Sequence, residues 1–475
     1  MIRCITAASE LCSGCGQGWS QLARRWKSKR ADHWAKLRKK QTGTALALKH
    51  FDHFYPEKYG PRWRSIRLAL LCQSKPTALV NHYSNVAETT AKLTSCGSFD
   101  LTAEWREQIS RRQGRLSSLA SSADPASLPA DADSSDGTAD ETSAADPAEA
   151  RARAEAAGQL RLVQPTQEES AALHDYVPAT QLHGDEDWLE EGDYFQYGQE
   201  DGSLKVALDR DSPISIPDTL RVFSFPAGEI SRFPFPSTSS TGVRDYYPLD
   251  GASLLPVLAL DVQPGDEVLD LCAAPGGKSL AILQTLYPAL LVCNDTQGGR
   301  VKRLQQVLLD YLPAAEHWPG QVSVTKQDGQ RLEARDRYDK VLVDAPCFSD
   351  RHSLLEDDNN IFAISRSRER IQIPLLQTNL LRRALEAVRP GGTVVYSTCT
   401  LSPIQNDGVV HMALKQIWED TDIQVVVKDM EDSMKPFYGT MWFARGVGIK
   451  YGQQVLPSVV NNFGPMYFAK IVRLK

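Results

Sequence analysis

Asp270-Leu271-Cys272-Ala273-Ala274-Pro275-Gly276-Gly277-Lys278 is the stretch on which the fold turns. Val268–Leu271 reads as a strand, Pro275-Gly276-Gly277 as a tight turn, and Lys278 as the opening of a helix. Glycine at such a turn lets the backbone approach a ligand that a β-carbon would hold away. From here to Lys475 strand and helix patterns alternate. Strands are expected at Leu290–Cys293, Val322–Val324, Lys340–Val343 and Thr393–Tyr396, with a last one over Met466–Val472. Helices are expected at Arg300–Tyr311 and Gln372–Val388, the second ending in the turn Pro390-Gly391-Gly392. This alternation predicts an α/β protein with a Rossmann-like, doubly wound, parallel sheet. Residues just past the carboxyl ends of its strands then share one crevice.

Two of those strand ends carry thiols: Asp344-Ala345-Pro346-Cys347 and Ser397-Thr398-Cys399-Thr400. A strand-end cysteine beside a carboxylate and a lysine suits nucleophilic catalysis once its pKa is lowered. Cytosine is a poor nucleophile at ring carbon 5. A thiolate added at carbon 6 makes carbon 5 nucleophilic enough to attack a methyl sulfonium, after which a base removes the carbon 5 proton and the thiol leaves. Asp344 is placed to hydrogen-bond the cytosine edge in such an adduct. Cysteine is also a common buried hydrophobe, and that is the reading adopted for Cys272 and Cys293.

The first turn is neither a Walker A loop nor a G-x-G-x-x-G fingerprint. Asp295 closes the second strand, where a carboxylate accepts both ribose hydroxyls. Asp328-Gly329 follows the third, within reach of an exocyclic amine. A ribose-side acid with an adenine-side acid fits S-adenosylmethionine; NAD is the alternative, without its fingerprint. A single such Asp could equally be a capping carboxylate.

The chain has 475 residues, a formal net charge of −6 and nine cysteines. No run of about 18 apolar residues suggests a membrane span. The odd, scattered cysteines argue for a reducing compartment. Cys12-x-x-Cys15 lacks a second pair to complete a zinc site, so no metal is expected. Residues 121–200 hold 19 Asp/Glu against 3 Lys/Arg, and residues 1–40 hold 10 Lys/Arg against 2 acids. Outside these segments the charge nearly balances, so any nucleic-acid surface must be a local patch. Residues 1–40 read as a mitochondrial transit peptide, or alternatively as a basic arm. Residues 41–114 read as a small helical region, with Phe51, Phe54 and Tyr55 as packing residues. Residues 115–219 read as an acidic, largely disordered insertion, and residues 220–475 as the catalytic domain.

The Asp270–Lys278 turn, the Pro-Cys and Thr-Cys loops and Asn406 together resemble the Nop/Sun-domain RNA cytosine-5 methyltransferases. Asp350-Arg351-His352-Ser353-Leu354, Asn359-Asn360-Ile361-Phe362 and Asn462-Phe463-Gly464-Pro465-Met466-Tyr467-Phe468 resemble the family's mitochondrial ribosomal-RNA branch. The resemblance covers roughly residues 220–475, and more loosely 40–110. It implies that Gly276, Gly277 and Lys278 hold the methionine end of S-adenosylmethionine. Asp295 would bind its ribose with Arg300 bracing that loop, and Asp328 and Gly329 would meet the adenine. Asp344 would lie between cofactor and base. The resemblance makes Cys399 the nucleophile and Cys347 the residue assisting product release. It further implies a flipped or unpaired cytosine in small-subunit ribosomal RNA and a role with mitochondrial ribosomal subunits. A helical-repeat partner of the mitochondrial termination-factor family is also implied. Arg366, Arg368 and Arg370 are candidate phosphate contacts, or equally the charges of a solvated helix face. Asp407 stands where the family usually has Glu, and Thr296-Gln297-Gly298-Gly299 is an unusual version of the ribose loop.

Overall fold

A computed structural model describes residues 41–121, 206, 208–313 and 320–475. The expected transit peptide, Cys12 and Cys15, and most of the acidic insertion lie outside the described residues. In chain order the strands are β1 (Pro76–Val80), β2 (Phe99–Asp100), β3 (Leu208–Arg210), β4 (Val222–Ser224), β5 (Tyr246–Asp250), β6 (Glu267–Asp270), β7 (Leu290–Asn294), β8 (Val322–Thr325), β9 (Tyr338–Asp344), β10 (Val388–Thr398), β11 (Val425–Asp429), β12 (Trp442–Phe443), β13 (Gln453–Leu456) and β14 (Met466–Arg473).

The main sheet runs β8-β7-β6-β9-β10-β14-β13-β12. From β8 through β10 every pairing is parallel, and β14 joins β10 antiparallel. The far edge of β14 is shared: β13 pairs with its first half and β11 with its second. Side chains of a strand alternate between faces, and the two hydrophobic cores follow that alternation. Val268, Leu342, Val395, Leu291 and Cys293 enter one core. Leu269, Val341, Val343, Val394, Tyr396 and Val292 enter the other. Helices Leu254–Leu260, Gly277–Leu283 and Gly298–Tyr311 supply residues to the first core, helices Ser367–Ala387 and Val409–Asp420 to the second. Both faces are therefore covered, as a parallel sheet requires. Among the described residues no helix is long and apolar enough to cross a membrane.

The region before the insertion is helical, as expected, with an added strand component. Helices Gly43–Tyr59, Trp63–Leu71, Val86–Ser95 and Leu101–Ser121 are present, but Pro76–Val80 is a strand. It lies inside a separate antiparallel sheet of order β2-β4-β1-β5, so residues from both sides of the insertion build one layer. Ala78, Leu79 and Val80 are buried.

Both ends of the insertion are also more ordered than its composition predicts. The helix Leu101–Ser121 runs past residue 114. Residues 208–219 contribute β3 on the edge of β11, and Ile214 and Ile216 enter the first core. Asp211 there is an internal counter-ion, 2.8 Å from the buried Lys470 ammonium. Acidity that suggests solvation is in part charge pairing at the sheet edge.

A third cluster positions the site. Phe51, Tyr55, Tyr59 and Trp63 of the first two helices pack with Phe348, Phe362, Leu401 and Leu456. Phe348 follows Cys347, and Leu401 lies two residues beyond Cys399. The N-terminal aromatics thus form the floor under both thiol loops, and each buried ring contributes about 1.5–3 kcal/mol of burial.

Candidate active site

β9 and β10 run parallel with Ser397 opposite Asp344, so the loops that leave them emerge side by side. Ala345 N–H donates to the Ser397 carbonyl at 2.9 Å, extending the pairing into the loops. Cys347 and Cys399 consequently meet with their sulfurs 3.4 Å apart, although 52 residues separate them. The Cys399 N–H also donates to the Cys347 sulfur at 3.4 Å.

Each loop is clamped from behind. Gln377 Nε2 donates to the Pro346 carbonyl at 2.7 Å, and the Gln405 Oε1 accepts from the Phe348 N–H at 3.2 Å. Thr398 Oγ1 donates to Asn406 Oδ1 at 2.5 Å, while Asn406 Nδ2 donates to the Thr400 carbonyl at 3.0 Å. Asn406 lies in a π-helical turn, Ile404–Gly408, a feature frequent at functional sites. Asp407 has a structural task, accepting from the Tyr467 hydroxyl at 2.5 Å and from the Tyr451 N–H. Asp350 joins both loops to the floor, accepting from Tyr55 Oη and the Leu401 N–H, each at 2.8 Å. Burial pushes its carboxyl up to about 6.

Lys278 Nζ lies 2.9 Å from Asp344 Oδ2, and Ser397 Oγ donates to Asp344 Oδ1 at 2.9 Å. Burial opposes the lysine charge, but Asp344 outweighs it and the ammonium pKa is raised. The two thiols are polarised oppositely. The hydrogen bond from Cys347 holds Cys399 below the usual thiol range against burial, with Ser349 and Lys278 adding to it. That same hydrogen bond, together with burial, pushes Cys347 up. Cys399 is the better thiolate and Cys347 the better proton donor. Cys272 and Cys293 are buried with raised pKa values, the inert form expected of them.

The glycine turn lies at the end of β6. Gly276 has φ +114°, a backbone conformation unfavourable for other residues. A β-carbon on Gly277 would lie 2.9 Å from Leu249 Cδ1. Asp270 is fully buried; one oxygen accepts from Ser279 Oγ at 2.6 Å and the other has no hydrogen-bond partner. Burial pushes its carboxyl up to about 7. Asp295, at the end of β7, is also buried. Its Oδ1 accepts from the Gln297 N–H at 3.1 Å, and its Oδ2 faces Arg300 Nη2 at 3.4 Å. Arg300 Nη2 donates to the Ala274 carbonyl at 2.6 Å and so ties the ribose-side loop to the glycine turn. Asp328 caps the short turn after β8 by accepting from the Gln330 N–H at 3.1 Å. Gly329 has a packing role: a β-carbon there would lie 2.7 Å from Leu380 Cδ2.

A cleft of about 1160 Å³ opens beside this row. Gly277, Lys278 and Asp344 line its inner end, and the loop carrying Ile230, Arg232 and Phe235 lines its outer part. Gly276, Cys347 and Cys399 are not in its wall, nor are Asp295, Arg300, Asp328 and Gly329, which lie along the strand ends on the β7–β8 side.

One expectation about the arginines needs revision. Arg370 is fully buried with its guanidinium 5.4 Å from the Phe362 ring centroid, out of reach of a phosphate. Arg366 is engaged by Glu369 at 2.6 Å and by Asn359. Ser349, Gln377 and Gln405 belong to the site without being marked in the sequence. Only the polar-in-apolar placement of Gln377 within a buried helix face could have pointed to it.

The family described as 16S rRNA methyltransferase RsmB/F matches residues 257–472. A "5-cytosine rRNA methyltransferase NSUN4" of Xenopus tropicalis is 38% identical over 445 residues, 93% of each chain. The protein of the same name in Mus musculus is 35% identical over 478 residues, covering 100% of this chain and 99% of that one. A "tRNA (cytosine(34)-C(5))-methyltransferase, mitochondrial" of Danio rerio is 44% identical over 246 residues, 51% of this chain and 65% of that one. With similarity sustained across nearly its whole length, the chain belongs to the Sun-domain family of RNA cytosine-5 methyltransferases, in its NSUN4 group.

Proposed function

We propose that this RNA cytosine-5 methyltransferase modifies small-subunit ribosomal RNA in the mitochondrial matrix, through a covalent bond between Cys399 and cytosine. The observation that carries the reading is the pair of sulfurs 3.4 Å apart beside the Lys278–Asp344 ion pair. One thiol is poised as nucleophile and the other as proton donor. Asp344 presents its carboxylate to the cleft as an acceptor for the cytosine amine, with Lys278 fixing its orientation. The ribosomal reading is supported by relatives that align with 93–100% of this chain, against 51% for the transfer-RNA enzyme. The mitochondrial setting, a part in ribosome assembly and a helical-repeat partner rest on the resemblance.

S-adenosylmethionine fits the residues present. The turn at Gly276 has a left-handed backbone, and one buried carboxylate oxygen each of Asp270 and Asp295 has no protein hydrogen bond, the Asp295 oxygen facing the Arg300 guanidinium at 3.4 Å. Gly276, Gly277 and Lys278 would hold its methionine end, Asp295 its ribose with Arg300 behind, and Asp328 and Gly329 its adenine. When bound, the cofactor supplies the methyl group. The chain's own residues orient the base, deliver the thiolate and hold the proton on Cys347.

The test is to incubate the full chain, alone and with mitochondrial extract, with labelled S-adenosylmethionine and mitochondrial RNA. Label in 5-methylcytosine of small-subunit ribosomal RNA is expected. Label confined to transfer RNA would replace the substrate, and cofactor binding without any label would favour an assembly scaffold.

The outer cleft supports single-stranded RNA as the occupant. Ile230 and Phe235 are 94% and 96% exposed on its wall, and the Phe235 ring is suited to stacking on a base. Phe235→Ala is expected to weaken RNA binding by about 1–3 kcal/mol. The salt dependence measured in the same titrations should stay constant, because no charge is lost.

A further inference from the structure

We propose that Ser349 is a positioning residue whose hydroxyl holds the Cys399 sulfur in its thiolate form. This inference rests on the assignment of Cys399 as nucleophile. In its neutral form the Cys399 thiol donates to Ser349 Oγ at 3.4 Å, a contact that reverses when the sulfur loses its proton, and the same oxygen lies 3.9 Å from the Cys347 sulfur. Two local rules are broken to put it there. Ser349 occupies the N-cap position of the helix Asp350–Leu355, where a serine side chain normally accepts from the first-turn N–H groups, yet it makes no such bond. Its backbone has φ +51° and ψ +64°, a left-handed conformation that non-glycine residues seldom adopt. A residue that gives up its cap and holds an unfavourable backbone is constrained by its surroundings toward another task.

The loop explains how the conformation is maintained. Phe348 is buried in the aromatic floor, with its N–H bound to Gln405. Asp350 is buried and bound to Tyr55 and to the Leu401 N–H. Ser353 Oγ donates to the Phe348 carbonyl at 2.7 Å and closes the turn from the helix side. Ser349 is therefore held between two anchored neighbours with its hydroxyl toward the sulfurs. Once Cys399 is ionised, it can accept from both the Cys347 thiol and the Ser349 hydroxyl. Lys278 favours that charge and Asp344 opposes it, so removing the hydroxyl leaves the Cys347 thiol as the remaining short-range donor to the sulfur.

The experiment measures iodoacetamide alkylation of Cys399 against pH, by peptide mapping of the full chain, in wild type, Ser349→Ala and Ser349→Gly. The glycine variant removes the hydroxyl while relaxing the backbone, so it remains informative if alanine impairs folding. Both variants are expected to move the Cys399 midpoint upward by about one pH unit. Single-turnover methyl transfer is expected to fall roughly tenfold at neutral pH and to recover in alkali. An unchanged midpoint in both variants overturns the proposal. A shift in alanine but not in glycine overturns it too, because backbone geometry would then account for the effect. RNA capture by Cys399→Ala would instead remove the nucleophile assignment, a failure read independently of Ser349.

Discussion

Cys399→Ala is expected to lose methyl transfer by about 10³-fold or more and to capture no RNA, whereas Cys347→Ala captures RNA covalently and fails to release it. The loss corresponds to about 4 kcal/mol or more in the barrier. The asymmetry follows from the hydrogen bonding between two sulfurs 3.4 Å apart. Cys399 receives the hydrogen bond and is held toward thiolate; Cys347 gives it and is held toward thiol. Removing the acceptor removes the nucleophile. Removing the donor leaves the nucleophile with Lys278 and Ser349 in support, so addition continues. The product then lacks the group beside Cys399 that assists its departure. Denaturing gel electrophoresis with labelled RNA reads the adduct, and mass spectrometry of the bound peptide reads which cysteine carries it. An adduct on Cys347 in the Cys399→Ala enzyme would reverse the roles.

The parts of this site that are legible in the sequence share a physical origin. Strand ends announce themselves because a buried parallel strand is a short apolar run and its exit loop is punctuated by Pro or Gly. Asp270, Asp344, Cys347 and Cys399 are readable as neighbours from that punctuation alone. Sequence does not report what a residue leans on. The packing at Gly329 is one such case: the Leu380 side chain stands 2.7 Å from where its β-carbon would be. The charge of Arg370 suggests a phosphate contact, yet its helix face turns it into the core. Ser349 leaves no trace in the sequence because its value lies in a left-handed backbone that composition does not encode. The strand Pro76–Val80 escapes notice for a related reason: its partners, Val222–Ser224 and Tyr246–Asp250, lie beyond the insertion. The acidic tract interrupts the sequence of this layer without interrupting the layer.

The Lys278–Asp344 pair separates chemistry from folding. The lysine side chain is 11% exposed and the aspartate 31%, so the pair is shielded at one end and open to the cleft at the other. Removing one member of a buried pair costs about 3–5 kcal/mol; exposure of Asp344 brings the expected loss of stability for Lys278→Met to about 2–3 kcal/mol. The variant leaves the Asp344 carboxylate with the Ser397 hydroxyl and without its cation. It also removes a positive charge that favours the Cys399 thiolate. Methyl transfer is expected to fall by about 10²–10³-fold, equivalent to about 3–4 kcal/mol in the barrier. Asp344→Asn in the same background removes the unpaired charge and should return part of the lost stability, while activity stays low because the base has lost its acceptor. Urea denaturation of the two single variants and the double variant, set beside their single-turnover rates, completes the cycle. Strictly additive stabilities with near-normal rates would make the pair a surface bridge. Strong coupling in stability, with no recovery of rate, is the behaviour of an ion pair that holds a base-recognising carboxylate beside the nucleophile.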